Sequence, residues 1–131
     1  MKKIILSSFL LLLLFTSCDP GYGIDYVIDN QSDGQIEVVL TRGGGMMNDT
    51  SIIGSNTQLF FDYDGGIGSA RDRMENIQRI PLDTIQISTI DGLIYNKNSI
   101  DRDLWENIIV SETNYSSHGE VILTVIDDDF N

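Results

Sequence analysis

The chain has 131 residues, with 8 Lys and Arg against 20 Asp and Glu for a formal net charge of −12, one cysteine and one histidine. A negative surplus of that size repels phosphate backbones and anionic headgroups, which sets aside nucleic acid as a partner and the lipid surface as an electrostatic one. It leaves a solvated surface, a cationic partner or bound divalent cations, and a single thiol sets aside an internal disulfide.

The chain opens on Lys2 and Lys3, continues through an apolar run from Ile4 to Phe15 broken only by Ser7 and Ser8, and reaches Cys18 through Thr16 and Ser17. A basic start, a short apolar middle and small residues before a cut site are the order of a secretory signal. The apolar part is about a dozen residues, short of the roughly 20 that a helix needs to span a bilayer core. Export and removal, rather than retention as a span, are therefore expected. Phe15-Thr16-Ser17-Cys18 resembles the lipobox of bacterial lipoproteins, with Phe15 where leucine is usual. The resemblance implies that residues 1–17 are cleaved and that Cys18 is lipidated and becomes the new N-terminus. It also implies a protein held in the Gram-negative cell envelope through its lipid, in the outer membrane ahead of the inner. Asp19, next to the cysteine, resembles an inner-membrane retention signal of some bacteria, while other lineages sort differently. Each buried methylene contributes about 0.8 kcal/mol, so more than one acyl chain makes such an attachment effectively permanent.

Residues 18–23, with Asp19-Pro20-Gly21-Tyr22-Gly23, read as a breaker-rich tether. Residues 24–131 are then one domain, long enough for a single core and too short for two. Ile24 to Asn30 alternates, with Ile24, Tyr26 and Ile28 on one face and Asp25 and Asp29 on the other, the period of a half-buried strand. Asn30-Gln31-Ser32-Asp33-Gly34 is turn chemistry. Ile36, Val38 and Leu40 alternate after it, so the first two strands are expected to form a hairpin. Gly43-Gly44-Gly45 opens a loose connection, and Ser51 to Ile53 suits a short edge strand. Thr57 to Tyr63 predicts a strand with Leu59, Phe61 and Tyr63 inward and Phe60 opposite, broken by Asp64-Gly65-Gly66.

Ser69 to Arg79 carries the one helical pattern of any length. Ser69 and Asp72 stand at capping-box spacing, Ala70, Met74 and Ile77 share a face, Glu75 can pair with Arg79, and Pro81 ends the segment. Leu82 to Ile90 alternates again, Asp91-Gly92 signals a hairpin, and Leu93 to Lys97 is the return strand. Asp101 to Glu106 reads as one helical turn. Ile108 to Thr113 and Glu120 to Ile126 form the last pair, joined by Asn114 to Gly119, and the run Val121 to Ile126 is apolar on nearly both faces and so is expected to be central, covered on each side. Short strands with turn signals every eight to twelve residues predict an all-β fold. The specific expectation is a seven- to eight-stranded antiparallel, Greek-key β-sandwich with one short helix near 69–79. In pattern and size, the body from Ile24 to Asn30 onward resembles small Gram-negative envelope lipoproteins with immunoglobulin- or transthyretin-like domains. That resemblance implies no functional residue.

Three chemistries have candidate residues on this scaffold. Asp62 and Asp64 before Gly65-Gly66 match the opening of a calcium loop, but position twelve is Arg73; Asp101, Asp103 and Glu106, or Asp127-Asp128-Asp129, are other oxygen clusters. The plainer reading is that these are turn and terminal residues, with no bound metal. Tyr63, Tyr95, Trp105 and Tyr115 are the aromatics with which a sugar could be stacked; against that, Trp105 suits the core. His118 stands in a polar turn beside Ser116 and Ser117 with no nucleophile-elbow pattern, so no catalytic residue is assigned and no cofactor is expected. Asp83-Thr84-Ile85 resembles the acceptor triplet of a bacterial O-glycosylation system. The functional expectation is a non-enzymatic, lipid-anchored domain acting by surface contact with a protein or glycan. The alternatives are a glycan-binding module, or an acidic inhibitor or immunity-like protein for a cationic partner.

Overall fold

The computed structural model describes residues 19–131; the leader and Cys18 lie outside the described residues. The described chain is mostly β, with seven strands in two sheets and one α-helix. The strands are β1 (Gly21–Asn30), β2 (Ile36–Arg42), β3 (Met47–Ile53), β4 (Thr57–Ile67), β5 (Thr84–Thr89), β6 (Glu106–Glu112) and β7 (Ser116–Val125). The helix, α1, is Ala70–Glu75, and short 3-10 turns cover Arg102–Leu104 and Asp127–Asp129. The four-stranded sheet has the order β4-β1-β7-β6 and the three-stranded sheet β3-β2-β5. No helix among the described residues is long and apolar enough to cross a membrane.

Both sheets contribute to one core. Ile24, Tyr26 and Ile28 of β1 with Val121, Leu123 and Val125 of β7 share a buried cluster with Ile36, Val38 and Leu40 of β2 and Ile85 and Ile87 of β5. The alternation read in these segments is the alternation observed. The pairing differs in two respects. β1 and β7 run parallel, so the four-stranded sheet is mixed rather than antiparallel throughout. β1 and β2 are not a hairpin, because both edges of β1 are already taken by β4 and β7, and the chain crosses to the other sheet after Asn30.

Asn30 makes that crossing possible. It is 0 % exposed, and its amide donates to the carbonyls of Gly34, Gly54 and Ile53 at 2.8, 2.9 and 3.3 Å. Its Oδ1 accepts from the Ser32 backbone N–H at 3.1 Å and from the Ser32 hydroxyl at 2.6 Å. One side chain therefore satisfies the turned backbone of two connections at the same end of the domain.

β1 begins at Gly21, inside the stretch read as a tether, with Gly21 to Gly23 paired to Ser116 to His118 on one side and to Gly65 to Ile67 on the other. β4 likewise runs through Asp64-Gly65-Gly66 instead of breaking there. The glycines serve tyrosine rings: a Cβ at Gly23 or Gly65 would come within 2.7 Å of the Tyr63 ring or its hydroxyl, and one at Gly66 within 3.0 Å of Tyr22. A bulge at Phe61 interrupts β4, since Tyr26 faces Asp62 while Val27 faces Phe60. One extra residue exchanges the faces of everything beyond it. Leu59 and Phe61 point inward as predicted, but Tyr63 turns out to solvent, and Asp62 and Asp64 come to the inner side.

The helix is shorter than predicted. Ser69 makes no side-chain cap; the Ala70 N–H donates instead to Ser117 Oγ of β7 at 2.7 Å. Asn76 ends α1, donating its side-chain amide to the Asp72 carbonyl at 2.7 Å. The chain then turns so that Ile77 and Ile80 join the core with Ala70 and Met74. Met74 lies on Gly119, where a Cβ would come within 2.6 Å of its Cε. After Asp91-Gly92 the predicted return strand is one bridge, Ser88 to Ile94, before the chain leaves to pair Tyr95 with Phe130.

Candidate functional site

The outer face of the four-stranded sheet presents the most distinctive chemistry. Register places Phe60, Val27, Ile122 and Glu106 in one row across its four strands, and Tyr63, Asp25, Glu120 and Ile108 in the next. Val27 and Ile122 are 0 % and 7 % exposed although they belong to the face turned away from the shared core. Phe60 and Ile108 stand exposed beside them. A sheet with one solvated face normally carries polar residues there; this one has an apolar row running from Phe60 to Ile122.

The second row holds a cluster that the sequence reading did not assemble. His118 lies within β7, not in a turn, because β7 begins at Ser116. His118 and Glu120 are two apart on one strand and so share a face, and Asp25 is the β1 partner of Glu120. The His118 Nε2 stands 3.0 Å from Asp25 Oδ2. One ligand atom from each of Asp25, His118 and Glu120 lies within 4.8 Å of the others, and all three side chains are half-buried. The signal for it in the sequence is the alternation His118-Gly119-Glu120, which has strand spacing. Tyr63, the β4 partner of Asp25, lies across Gly23 and Gly65 and is 62 % exposed as a residue.

Of the acidic residues singled out from sequence, Asp62 and Asp64 each hold an arginine. Asp62 binds Arg42 at 2.8 Å and Asp64 binds Arg73 at 2.7 Å, around a cleft of about 460 Å³ lined also by Tyr26 and Arg79. The Asp64 carboxylate holds the Arg73 guanidinium above its usual pKa by hydrogen bond and charge. Burial, with added charge from Asp64, raises the Tyr26 phenol. Asp101 caps its 3-10 turn by accepting from the Asp103 N–H at 3.2 Å. In the C-terminal triplet, Asp129 is buried against Lys97 and accepts from the Ile126 N–H, so it is not a frayed end. Among the described residues, none of these clusters gathers three such ligand groups within reach of one ion, fewer than a calcium loop supplies.

The four aromatics divide. Trp105 is 5 % exposed, edge-on to Phe61, and its Nε1–H donates to the Ser99 carbonyl at 2.8 Å. Tyr95 is 7 % exposed and edge-on to Phe130. Both are core residues, and neither can stack on a sugar. Tyr63 and Tyr115 are exposed. Tyr115 lies beyond Gly21, whose N–H its carbonyl accepts, while the Tyr63 ring lies across Gly23 and Gly65. Thr84 is exposed at the start of β5, opposite Thr41, and Asp83 accepts from the Gly44 N–H at 2.7 Å.

Comparison of the chain with protein-family models, with curated proteins and with solved structures gives no match.

Proposed function

We propose that this protein is a lipid-anchored domain of the bacterial cell envelope, working without catalysis by surface contact through the outer face of its four-stranded sheet. The observation that carries the contact surface is the exposed apolar pair Phe60 and Ile108 on the outer face of the four-stranded sheet, beside Val27 and Ile122, which are themselves buried. Exposed apolar side chains flanked by charge are the make-up of an interaction patch. The anchor rests on the order Lys2-Lys3, apolar run, Phe15-Thr16-Ser17-Cys18. In fold terms we read the domain as a Greek-key, immunoglobulin-like sandwich, because the chain passes between the two sheets after β1, β3, β4 and β5.

Photo-cross-linking in intact cells tests the surface. A photoreactive residue at Phe60 is expected to yield a discrete adduct, and one at Thr50, on the outer side of the three-stranded sheet, none. No adduct at Phe60, or equal adducts at both, overturns the reading. A second reading, glycan binding, is favoured by one feature: the exposed Tyr63 ring lies across Gly23 and Gly65, on the β4 residue paired with Asp25. Flat exposed rings stack on pyranose faces, and neighbouring carboxylates accept from hydroxyls. Retention on immobilised envelope polysaccharide, lost in Tyr63→Ala and kept in Tyr115→Ala, would favour it over protein contact.

A further inference from the structure

We propose that Asp25, His118 and Glu120 form a three-ligand site for a divalent transition cation of the zinc type, open to solvent on the outer face of the four-stranded sheet. This goes beyond the surface-contact reading and does not depend on it.

Geometry is the first reason. Two ligands held about 2.0 to 2.1 Å from a tetrahedral ion stand about 3.3 Å from one another. The Asp25 and His118 atoms are already 3.0 Å apart. Glu120 completes the group within 4.8 Å, and its longer side chain closes the remainder by rotation. All three project from adjacent strands in the middle of a hydrogen-bonded sheet, so the backbone is fixed before any ion arrives. Gly119, between the two β7 ligands, faces the other way and is pinned under Met74, which holds β7 in place at this point.

Charge is the second reason. Two carboxylates meet at one imidazole, and among the described residues neither Asp25 nor Glu120 has a Lys or Arg within ion-pair distance. This contrasts with Asp62, Asp64, Glu112 and Asp129, each of which has its own cation. Paired carboxylates of that kind favour a bound cation. Chemistry then selects among cations. One imidazole nitrogen and two carboxylate oxygens suit zinc, cobalt or nickel, whereas calcium asks for six to eight oxygens and magnesium for a near-octahedral oxygen shell. With Asp25 and His118 only half-buried, the fourth position faces water.

The test is titration of the full chain, metal-stripped and without a histidine tag, with zinc ions alone, followed by calorimetry and by the ring resonances of His118 in NMR. The expected result is one zinc ion per chain, with the His118 ring signals shifting in step with the heat. Affinity should fall at least tenfold in His118→Ala and measurably in Asp25→Asn and Glu120→Gln. Cobalt should give the intense visible bands of four-coordination, and millimolar calcium should not compete. The NMR readout needs no variant, so a variant that fails to fold does not weaken the test, and it separates this site from the Cys18 thiol. Unmoved His118 signals at saturating zinc, unchanged affinity in His118→Ala, or displacement by calcium would each overturn the proposal.

Discussion

Replacing Asn30 is the sharpest test of how this fold turns its first corner. The amide has two hydrogens to share among the carbonyls of Gly34, Gly54 and Ile53, and Oδ1 accepts twice from Ser32, so about four full hydrogen bonds depend on one side chain. At about 1 kcal/mol net for each bond, and more where a buried partner is left unsatisfied, Asn30→Ala should cost about 3–5 kcal/mol. That is a large share of the roughly 5–15 kcal/mol available to a domain. Asn30→Asp is the more discriminating variant. It keeps the shape and both acceptances from Ser32, yet points a buried charge at carbonyl oxygens that had been receiving donors. At neutral pH it should cost at least as much as the alanine variant. The introduced carboxyl would titrate higher in the folded state than in the unfolded one. Its penalty should therefore be smallest below the unfolded value of about 4 and grow as pH rises above it. Urea unfolding followed by the fluorescence of the single tryptophan, buried Trp105, measures both variants, and an unchanged slope would show that stability alone has moved. If the Asp variant lies within about 1 kcal/mol of the parent at neutral pH, the clamp is not what holds the corner.

Other predictions follow from single contacts. Gly119→Ala should destabilise by about 1–3 kcal/mol in urea unfolding, because the new methyl meets Met74 on one side and the Ile108 carbonyl on the other. Tyr95, pushed up to about 12 mainly by burial and further by Asp129, stays protonated in the folded state after the unfolded phenol has ionised near 10. Stability from this group is complete below pH 10 and is lost as pH rises from about 10 to 12, at up to about 1.4 kcal/mol per pH unit; Tyr95→Phe should flatten that decline in unfolding curves at stepped pH. Ser117→Ala should cost about 1 kcal/mol in thermal or urea unfolding, since the buried Ala70 N–H loses the hydroxyl that opens α1. Cys18→Ala should leave the leader uncut and abolish the mass increment of acylation; an unmodified, soluble product from the parent chain would refute the anchor.

The β class, the faces of the core strands and the central place of β7 were legible in local pattern, because a period of two with one apolar face has few ways to be buried. Trp105 as a core plug and Asp101 as the start of a helical turn were equally legible, each being a local preference that nothing distant opposes. Which strands pair was set by the fold as a whole. Asn30 to Gly34 has the composition of a hairpin turn, and whether such a turn folds back or crosses over depends on β4 and β7 competing for the edges of β1. A single bulge at Phe61 decided the fate of Tyr63, Asp62 and Asp64, since one added residue exchanges faces without altering composition. The meeting of Asp25 with His118 and Glu120 was hidden for the same reason. It depends on a parallel pairing between the first and last strands, and contacts that distant in sequence are set by how the sheet closes rather than by any local pattern.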